Sequence, residues 1–559
     1  MKRNFKTGLR ALGSLALAVS LLTACGGNSP AGTGNGQGNT PQSGASGSPA
    51  APEKRGSISV TVYDRGTVPA SEGTIEKNRW TQWINDNGPV DVAFVAIPRN
   101  ESAEKLNTLF ASGTAPDLVL EYAPNIKNAL YLQKQLMPVE EIIEQYSTTY
   151  KELMAEYPAL RKAGLMADGE MYQFGKINEV VPIKAILIRQ DWLEVLNLKV
   201  PETTEELYEV ARDFAKEDPD NNGQQDTYGI ALSHLSGGTF AQIYQNMTGW
   251  AIVNNEMVRT WDNMKAETTM RKRFYEEGIV DRDYLNDKNG AKAKQDFVNG
   301  KLGIYPGQFT WASFAVNELT TLKENVPNAK VIPIQLPESE FGVFNPTLQN
   351  PIQMTAVVNA NAKDPEAVMK YVDFAASDTF GWALRYGIEG EHYEKNDQNL
   401  PVIGDQEKFK TEVGWAGDFN MLFTTLKLGE AGLTRASFDL SVPVQKEGYE
   451  LFERAKSTYM DTSVTLADIT HSEHMPQLPQ ELQTLSANLD YSDILIRAIT
   501  GGTTYTVDQA MADVRDFWIA GGGEEVEEWY KNWYRENKDS AFLAGDIYDI
   551  VEQQKQAGY

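Results

Sequence analysis

Asp218, Asp220, Asn222 and Asp226 stand at the first, third, fifth and ninth places of a stretch opening at Asp218. Gly223 holds the sixth, where an EF-hand-type loop makes its sharp turn, and the Gln224 carbonyl falls at the seventh. Oxygen donors at alternate positions around a tight turn suit a hard cation. Asp218, Asp220, Asn222, Gln224 and Asp226 are therefore the candidate calcium ligands. The twelfth place is Gly229 where such loops carry a bidentate Glu, so a last ligand has to come from elsewhere. A solvated Asx/Gly turn is the competing reading.

The loop must be held by what precedes it. Pro201 and the Thr203/Glu206 capping box open a helix, and Leu207, Val210, Ala211 and Phe214 form one apolar stripe along it. Asp218 precedes Pro219, which disfavours further helix, so the helix should stop there. Upstream, Leu187 and Ile188 read as a strand, followed by a short helix from Asp191.

Other chemistry finds less support. Carboxylates are abundant, but spacing alone singles out no acid pair across a glycosidic bond. His471-Ser472-Glu473-His474 is not HExxH and reads as a surface loop. With a single cysteine and no GxSxG turn, nucleophilic catalysis has no motif behind it. Aromatic supply points to binding instead. Eleven Trp and twenty-four Tyr exceed the needs of a core, and an indole face can stack on the C–H face of a pyranose. Trp250, Trp311 and Trp415 lie outside clear amphipathic helices and are the stacking candidates. Trp382, Trp518, Trp529 and Trp533 lie in helical stretches and read as core.

At the start, Lys2, Arg3, Lys6 and Arg10 precede an apolar run, Ala11–Leu22, too short to span a bilayer in the mature protein. Leu22-Thr23-Ala24-Cys25 reads as a lipobox, with residues 1–24 a lipoprotein signal peptide and Cys25 the lipidated residue. Removing those four basic residues takes the formal charge from −26 to −30. That balance argues against nucleic acid, which needs clustered Lys and Arg. Residues 26–56 are rich in Gly, Ser, Asn and Pro and cannot bury a core, so they form a tether of roughly 30 Å root-mean-square span.

At 559 residues the chain is too long for one core, so two domains are expected. Ile58, Val60 and Val62 alternate along a first strand; further strands follow at Val90–Ala96 and Asp117–Leu120, with helices between. This alternation implies a parallel sheet, whose ligands bind beyond the carboxyl ends of the strands. Asp64 and Arg65, after Tyr63, and Glu121 and Tyr122 are thus the candidate ligand-binding residues of that sheet. Phe309 and Trp311 are expected on a loop facing a ligand. Thr355–Asn359 reads as a strand, with Asp364-Pro365 opening a helix.

The segment Ile188–Leu207 (IRQDWLEVLNLKVPETTEEL), together with SGTAPDLVLEY (112–122), FYEEGIVDRDY (274–284), FVNGKLG (297–303) and YGIEGEHY (386–393), resembles the extracellular solute-binding proteins of carbohydrate ABC importers. The likeness is to their large Gram-positive lipoprotein branch, related to alginate-oligosaccharide binders. It implies an α/β, two-lobed periplasmic-binding-protein-like (type II) fold with parallel-type sheets flanked by helices and a helical tail. It further implies residues 57–183 plus 345–430 as one lobe, and 184–344 plus 431–559 as the other, with Lys184–Ile188 carrying the chain across. The implied function is capture of an oligosaccharide for an ABC permease by a lipid-anchored monomer on the outer face of the cytoplasmic membrane, with structural calcium in the loop. Arg65, Lys184 and Arg385 are the side chains that could meet a uronate, leaving neutral and acidic sugars both open. A cell-surface polysaccharide-degrading enzyme and a peptide-binding lipoprotein are the alternatives.

Overall fold

A computed structural model describes residues 55–559; the signal peptide, Cys25 and the tether up to residue 54 lie outside the described residues. The chain runs through β1 (Ser57–Asp64), β2 (Asp91–Pro98), β3 (Leu118–Leu120) and β4 (Gln173–Ile177), with helices between them. It continues through β5 (Lys184–Arg189), β6 (Tyr228–Ile230), a hairpin of β7 (Trp250–Val253) and β8 (Glu256–Arg259), β9 (Leu302–Gln308), β10 (Val331–Ile334), β11 (Phe344–Asn345) and β12 (Ile352–Val358). Two main sheets result, ordered β2-β1-β3-β12-β4 and β10-β5-β9-β6. Ile58, Val60 and Val62 are buried, as their alternation requires.

Both sheets are mixed rather than parallel throughout. β1 runs parallel to β2 and β3, whereas β12 is antiparallel to β3 and β4. The reason is topological. The chain leaves the first sheet from the end of β4 and returns to it at the start of β12, so those two strands must point opposite ways. β5 is likewise antiparallel to β9 and β10.

The crossing itself is made by residues 178–183, not by Lys184–Ile188, which already belongs to β5 in the second sheet. A second connection, residues 346–351, runs beside the first. The Asn178 N–H donates to the Pro351 carbonyl (2.9 Å) and the Gln349 N–H to the Val181 carbonyl (2.8 Å). Paired strands of this kind form a two-stranded hinge.

The C-terminal helices divide between the lobes. Val507, Met511 and Val514 pack with Met264, and Trp518, Val526 and Tyr534 with Trp250 and Met257, all on the second-lobe side. The last helix, Ala544–Gln556, goes elsewhere: Ile547, Ile550 and Val551 join the cluster containing Val60, Val62 and Val357. Assigning all of 431–559 to the second lobe is therefore corrected, because this helix presents its apolar stripe to the first lobe. Gln554 on that helix accepts from the Val180 N–H (2.9 Å) and donates to the Asn178 carbonyl (3.0 Å), satisfying the hinge backbone. Ile550→Ala is expected to cost about 3 kcal/mol in urea denaturation, since the buried methyl groups leave a cavity. Among the described residues no helix is long and apolar enough to cross a membrane.

Candidate functional site

β1 and β3 are neighbours with Val60 opposite Leu118, so their carboxyl ends bring Tyr63 and Glu121 together. The Tyr63 hydroxyl donates to the Glu121 carboxylate, and the Ala123 N–H adds a bond at 2.7 Å. Glu121 is wholly buried, and its second oxygen has no partner among the described residues. Beside it Lys127, 1% exposed, donates to the Met354 carbonyl. Burial pushes the Lys127 ammonium down to about 8, partly offset by Glu121 and Glu473. Glu121 thus organises the strand ends from below and does not offer itself to solvent.

Tyr122 stacks on Tyr63 at 5.9 Å. Arg65 forms a two-pronged ion pair with Asp418 (2.5 and 3.0 Å), and Arg99 lies over the Tyr63 ring. Asp64 accepts from the Gly66 N–H (2.8 Å) and caps its own turn. Burial pushes the Tyr122 hydroxyl up to about 12, with Asp418, Arg65, Arg99 and Glu473 all within its electrostatic reach. Lys176, next to the end of β4, shares Asp418 and Glu473 as neighbours and faces Arg385. Burial, then Arg385, lowers its ammonium to about 8, and it makes no side-chain hydrogen bond or ion pair among the described residues. Arg65, Arg385 and Asp418 of the first lobe, with Glu473 from the C-terminal segment, therefore surround one place at the hinge.

The second lobe brings its own polar cluster to the same junction. Lys184, the first residue of β5 and 4% exposed, contacts the Met247 sulfur. Thr347, one residue before the paired part of the return connection, donates to Asp468, and Gln242 donates to Thr347 (2.5 Å). The remaining Asp468 oxygen is buried without a partner among the described residues. Burial raises the Asp468 carboxyl, with Thr347 and Lys184 acting against it. His471 and His474, expected on a surface loop, are instead half-buried at the hinge and pushed down to about 4 by burial; His474 donates to the Ile352 carbonyl (2.7 Å).

The three stacking candidates are not assembled here. Trp311 is 2% exposed, packed among Phe309, Phe314 and Phe452, with its N–H donating to the Pro182 carbonyl (2.7 Å). It opens a helical turn rather than a loop, so with Phe309 it fills core. Trp250 is closed between Tyr530 and the Arg259 guanidinium. Trp415, half-buried with its N–H on the Thr411 carbonyl (2.8 Å), lies near Asp418 and keeps an exposed part. Lys176 and Asp468 were missed because a single Lys in a strand and a single Asp in a loop carry no pattern; only the unbonded Lys176 ammonium and the one unbonded Asp468 oxygen mark them.

In the acidic loop, helix Thr204–Lys216 has the expected capping box, and Leu207, Val210, Ala211 and Phe214 are buried. Asp218 takes a left-handed φ of 51° and ends it; Gly223, at 78°, makes the turn. Asp218 accepts from the Asn222 and Gly223 N–H groups (3.1 and 3.0 Å). The Asn222 amide donates to Asp220 (2.9 Å) and Asp226 (3.1 Å). Burial, then the neighbouring Asp218, raises the Asp220 carboxyl, whereas Lys301 (2.7 Å) holds Asp226 low. A β-carbon on Gly229 would lie 2.0 Å from the Ala211 carbonyl oxygen, so no Glu fits there. The loop feeds β6, which pairs with β9, and not a second helix. Three carboxylates, a carboxamide and a peptide oxygen around one turn fit an oxygen-seeking divalent cation. Glu391, His392 and Glu412 also converge, but Arg79 bonds Glu412 (2.5 Å) and Glu72 (2.7 Å), so a guanidinium already serves there as the cation.

Comparison with known proteins matches residues 73–380 to the family model "Bacterial extracellular solute-binding protein". The polygalacturonan/rhamnogalacturonan-binding protein YtcQ of Bacillus subtilis is 24% identical over 462 residues, covering 81% of this chain and 86% of that one. Among solved structures, a human-milk-oligosaccharide-binding, ABC-transporter-associated solute-binding protein from Bifidobacterium longum infantis superposes with a TM-score of 0.63. It is 17% identical, over 86% of this chain and 99% of that chain. An EF-hand mutant of the Streptococcus pneumoniae ABC-transporter substrate-binding protein FusA, in complex with fructo-nystose, gives 0.59 at 16% identity, over 86% of this chain and 99% of that chain.

Proposed function

This chain belongs to the bacterial extracellular solute-binding protein family, and we propose that it captures an oligosaccharide between its two lobes and delivers it to an ABC import permease. The observation carrying this reading is the pair of polar clusters at the hinge, each with unspent hydrogen-bonding capacity: Lys176 on one lobe and Asp468 on the other. A guest that bonds both groups favours the closed arrangement over the open one, and the permease reads that closure. Lys176 beside Arg385 favours guests bearing uronates, in keeping with the ligand in the name of the B. subtilis relative. Lys176→Met is expected to weaken galacturonate-oligomer binding at least about tenfold and neutral fructo-oligosaccharide binding by a clearly smaller factor, by titration calorimetry.

The lipobox at Leu22–Cys25 supports anchoring by a lipid on Cys25 at the outer face of the cytoplasmic membrane, with residues 26–56 as tether. Asp218, Asp220, Asn222, Gln224 and Asp226 would hold calcium, whose charge offsets the carboxylates crowded between the helix and β6. The protein acts as a monomer and returns its guest chemically unchanged. Small-angle scattering with and without galacturonate and fructo-oligosaccharides tests the capture reading. Contraction on binding, with the sugar recovered intact, is the expected result; no contraction with any sugar, or new reducing ends, overturns it.

A further inference from the structure

Between first-lobe residues 161–173 and the helix Gly523–Asn537 lies a cavity of about 540 Å³, within the range of pockets that take small ligands. Tyr122 and Glu473 line it and also border the charged junction described above, so cavity and cleft are neighbours. Trp529 and Trp533, four apart on one helix face and both half-buried, form one wall. Neither indole N–H has a hydrogen-bond partner among the described residues. Tyr530 packs edge-on against Trp529 at 5.1 Å and props the ring.

The facing side is polar and only partly satisfied. Lys127 spends one of its three donors, on the Met354 carbonyl. Glu473 spends one oxygen, on the Asn350 amide (2.9 Å). The Gln173 side-chain amide makes no hydrogen bond among the described residues. Arg161 and Lys162 also reach the cavity but are neutralised by Glu140 and Asp546, so the lining does not dictate a charged guest. Flat apolar plates opposite spare donors and acceptors match a sugar ring, which has an apolar C–H face and a hydroxylated edge.

We propose that this cavity is a second carbohydrate subsite, continuous with the inter-lobe cleft, in which Trp529 and Trp533 stack the far rings of an oligosaccharide whose first rings lie at the hinge. The inference rests on the capture reading and adds the length of the guest to it. Because this helix packs on the second lobe while residues 161–173 belong to the first, a sugar held there also bridges the lobes. Chains of several units are then preferred over disaccharides.

Calorimetry on the full mature chain with galacturonate and fructo-oligosaccharides, dimer to hexamer, tests it. For whichever series binds, Trp529→Ala/Trp533→Ala is expected to weaken the hexamer at least about tenfold and the dimer by less than about twofold. Trp529→Phe/Trp533→Phe, which keeps flat rings, should restore most of the hexamer affinity, separating stacking from damage to the helix. Equal loss at every length, no loss at any, or no recovery with Phe overturns the subsite alone. If the wild-type chain binds no oligomer of either series, the capture reading fails and the subsite with it.

Discussion

Stripping calcium with EGTA is expected to lower the melting temperature by roughly 10 °C. A ligand present at a thousandfold excess over its dissociation constant stabilises by ~4 kcal/mol, and each kcal/mol moves a domain of this size by about 2–4 °C. The site earns so large an effect from its place in the fold. Its helix buries Leu207, Val210, Ala211 and Phe214, and its exit strand β6 pairs with β9, so loosening the loop loosens a lobe. Without the ion, Asp218 and Asp220 face each other, and Asp220 sits above its ordinary pKa. A carboxyl raised in this way costs stability once pH climbs past the ordinary carboxylate range, and mild acid relieves that cost. EGTA-treated protein should therefore gain on mild acidification, while calcium-loaded protein loses as protons displace the metal. Asp220→Asn/Asp226→Asn should melt alike with and without EGTA. An EGTA-insensitive wild-type melting curve, followed by circular dichroism, would remove calcium from the loop.

Asp468→Asn is expected to weaken oligosaccharide binding tenfold to a hundredfold while shifting the melting temperature little. The carboxylate already accepts from Thr347, and its other oxygen is buried and has no partner among the described residues. A hydrogen bond from a guest hydroxyl to such a charged acceptor is worth about 1.5–3 kcal/mol, which is that range of affinity. Asn keeps the shape and the bond to Thr347, so the loss falls on the guest. The same carboxyl, raised by burial, protonates at a higher pH than an ordinary Asp. Wild-type binding should thus fall off on the acid side earlier than exposed carboxylates titrate, and Asp468→Asn should flatten that limb. Calorimetry across the acid range reads both; unchanged affinity in the variant would place the guest elsewhere.

Local pattern carried much of this molecule. The capping box at Thr203, the stripe to Phe214, the stop at Asp218 and the turn at Gly223 were legible because each is written within a few residues of where it acts. That Tyr63 and Glu121 lie at the carboxyl ends of the first and third strands was readable from alternation; that the two strands are neighbours in register is seen only in the fold. Trp311 went the other way, since the indole outside an evident helix stripe is core, while Trp529, within a stripe, packs against the core and also lines a cavity. An indole in a helical run has the same spacing whether its outer face meets protein or a cavity. Only the fold that brings residues 161–173 opposite that helix decides which.

The helix and turn around Thr203–Gly223 and the loop that could hold a cation were readable from residue order, because these depend on neighbours along the chain. The crossing at 178–183, the return of the last helix to the first lobe, the unpaired Lys176 ammonium and the one Asp468 oxygen without a partner among the described residues emerge only in the folded chain. Whether a buried polar atom has a partner depends on segments more than a hundred residues away, such as Thr347 for Asp468 and Asn178 for Gln554, and no spacing in the sequence encodes that distance.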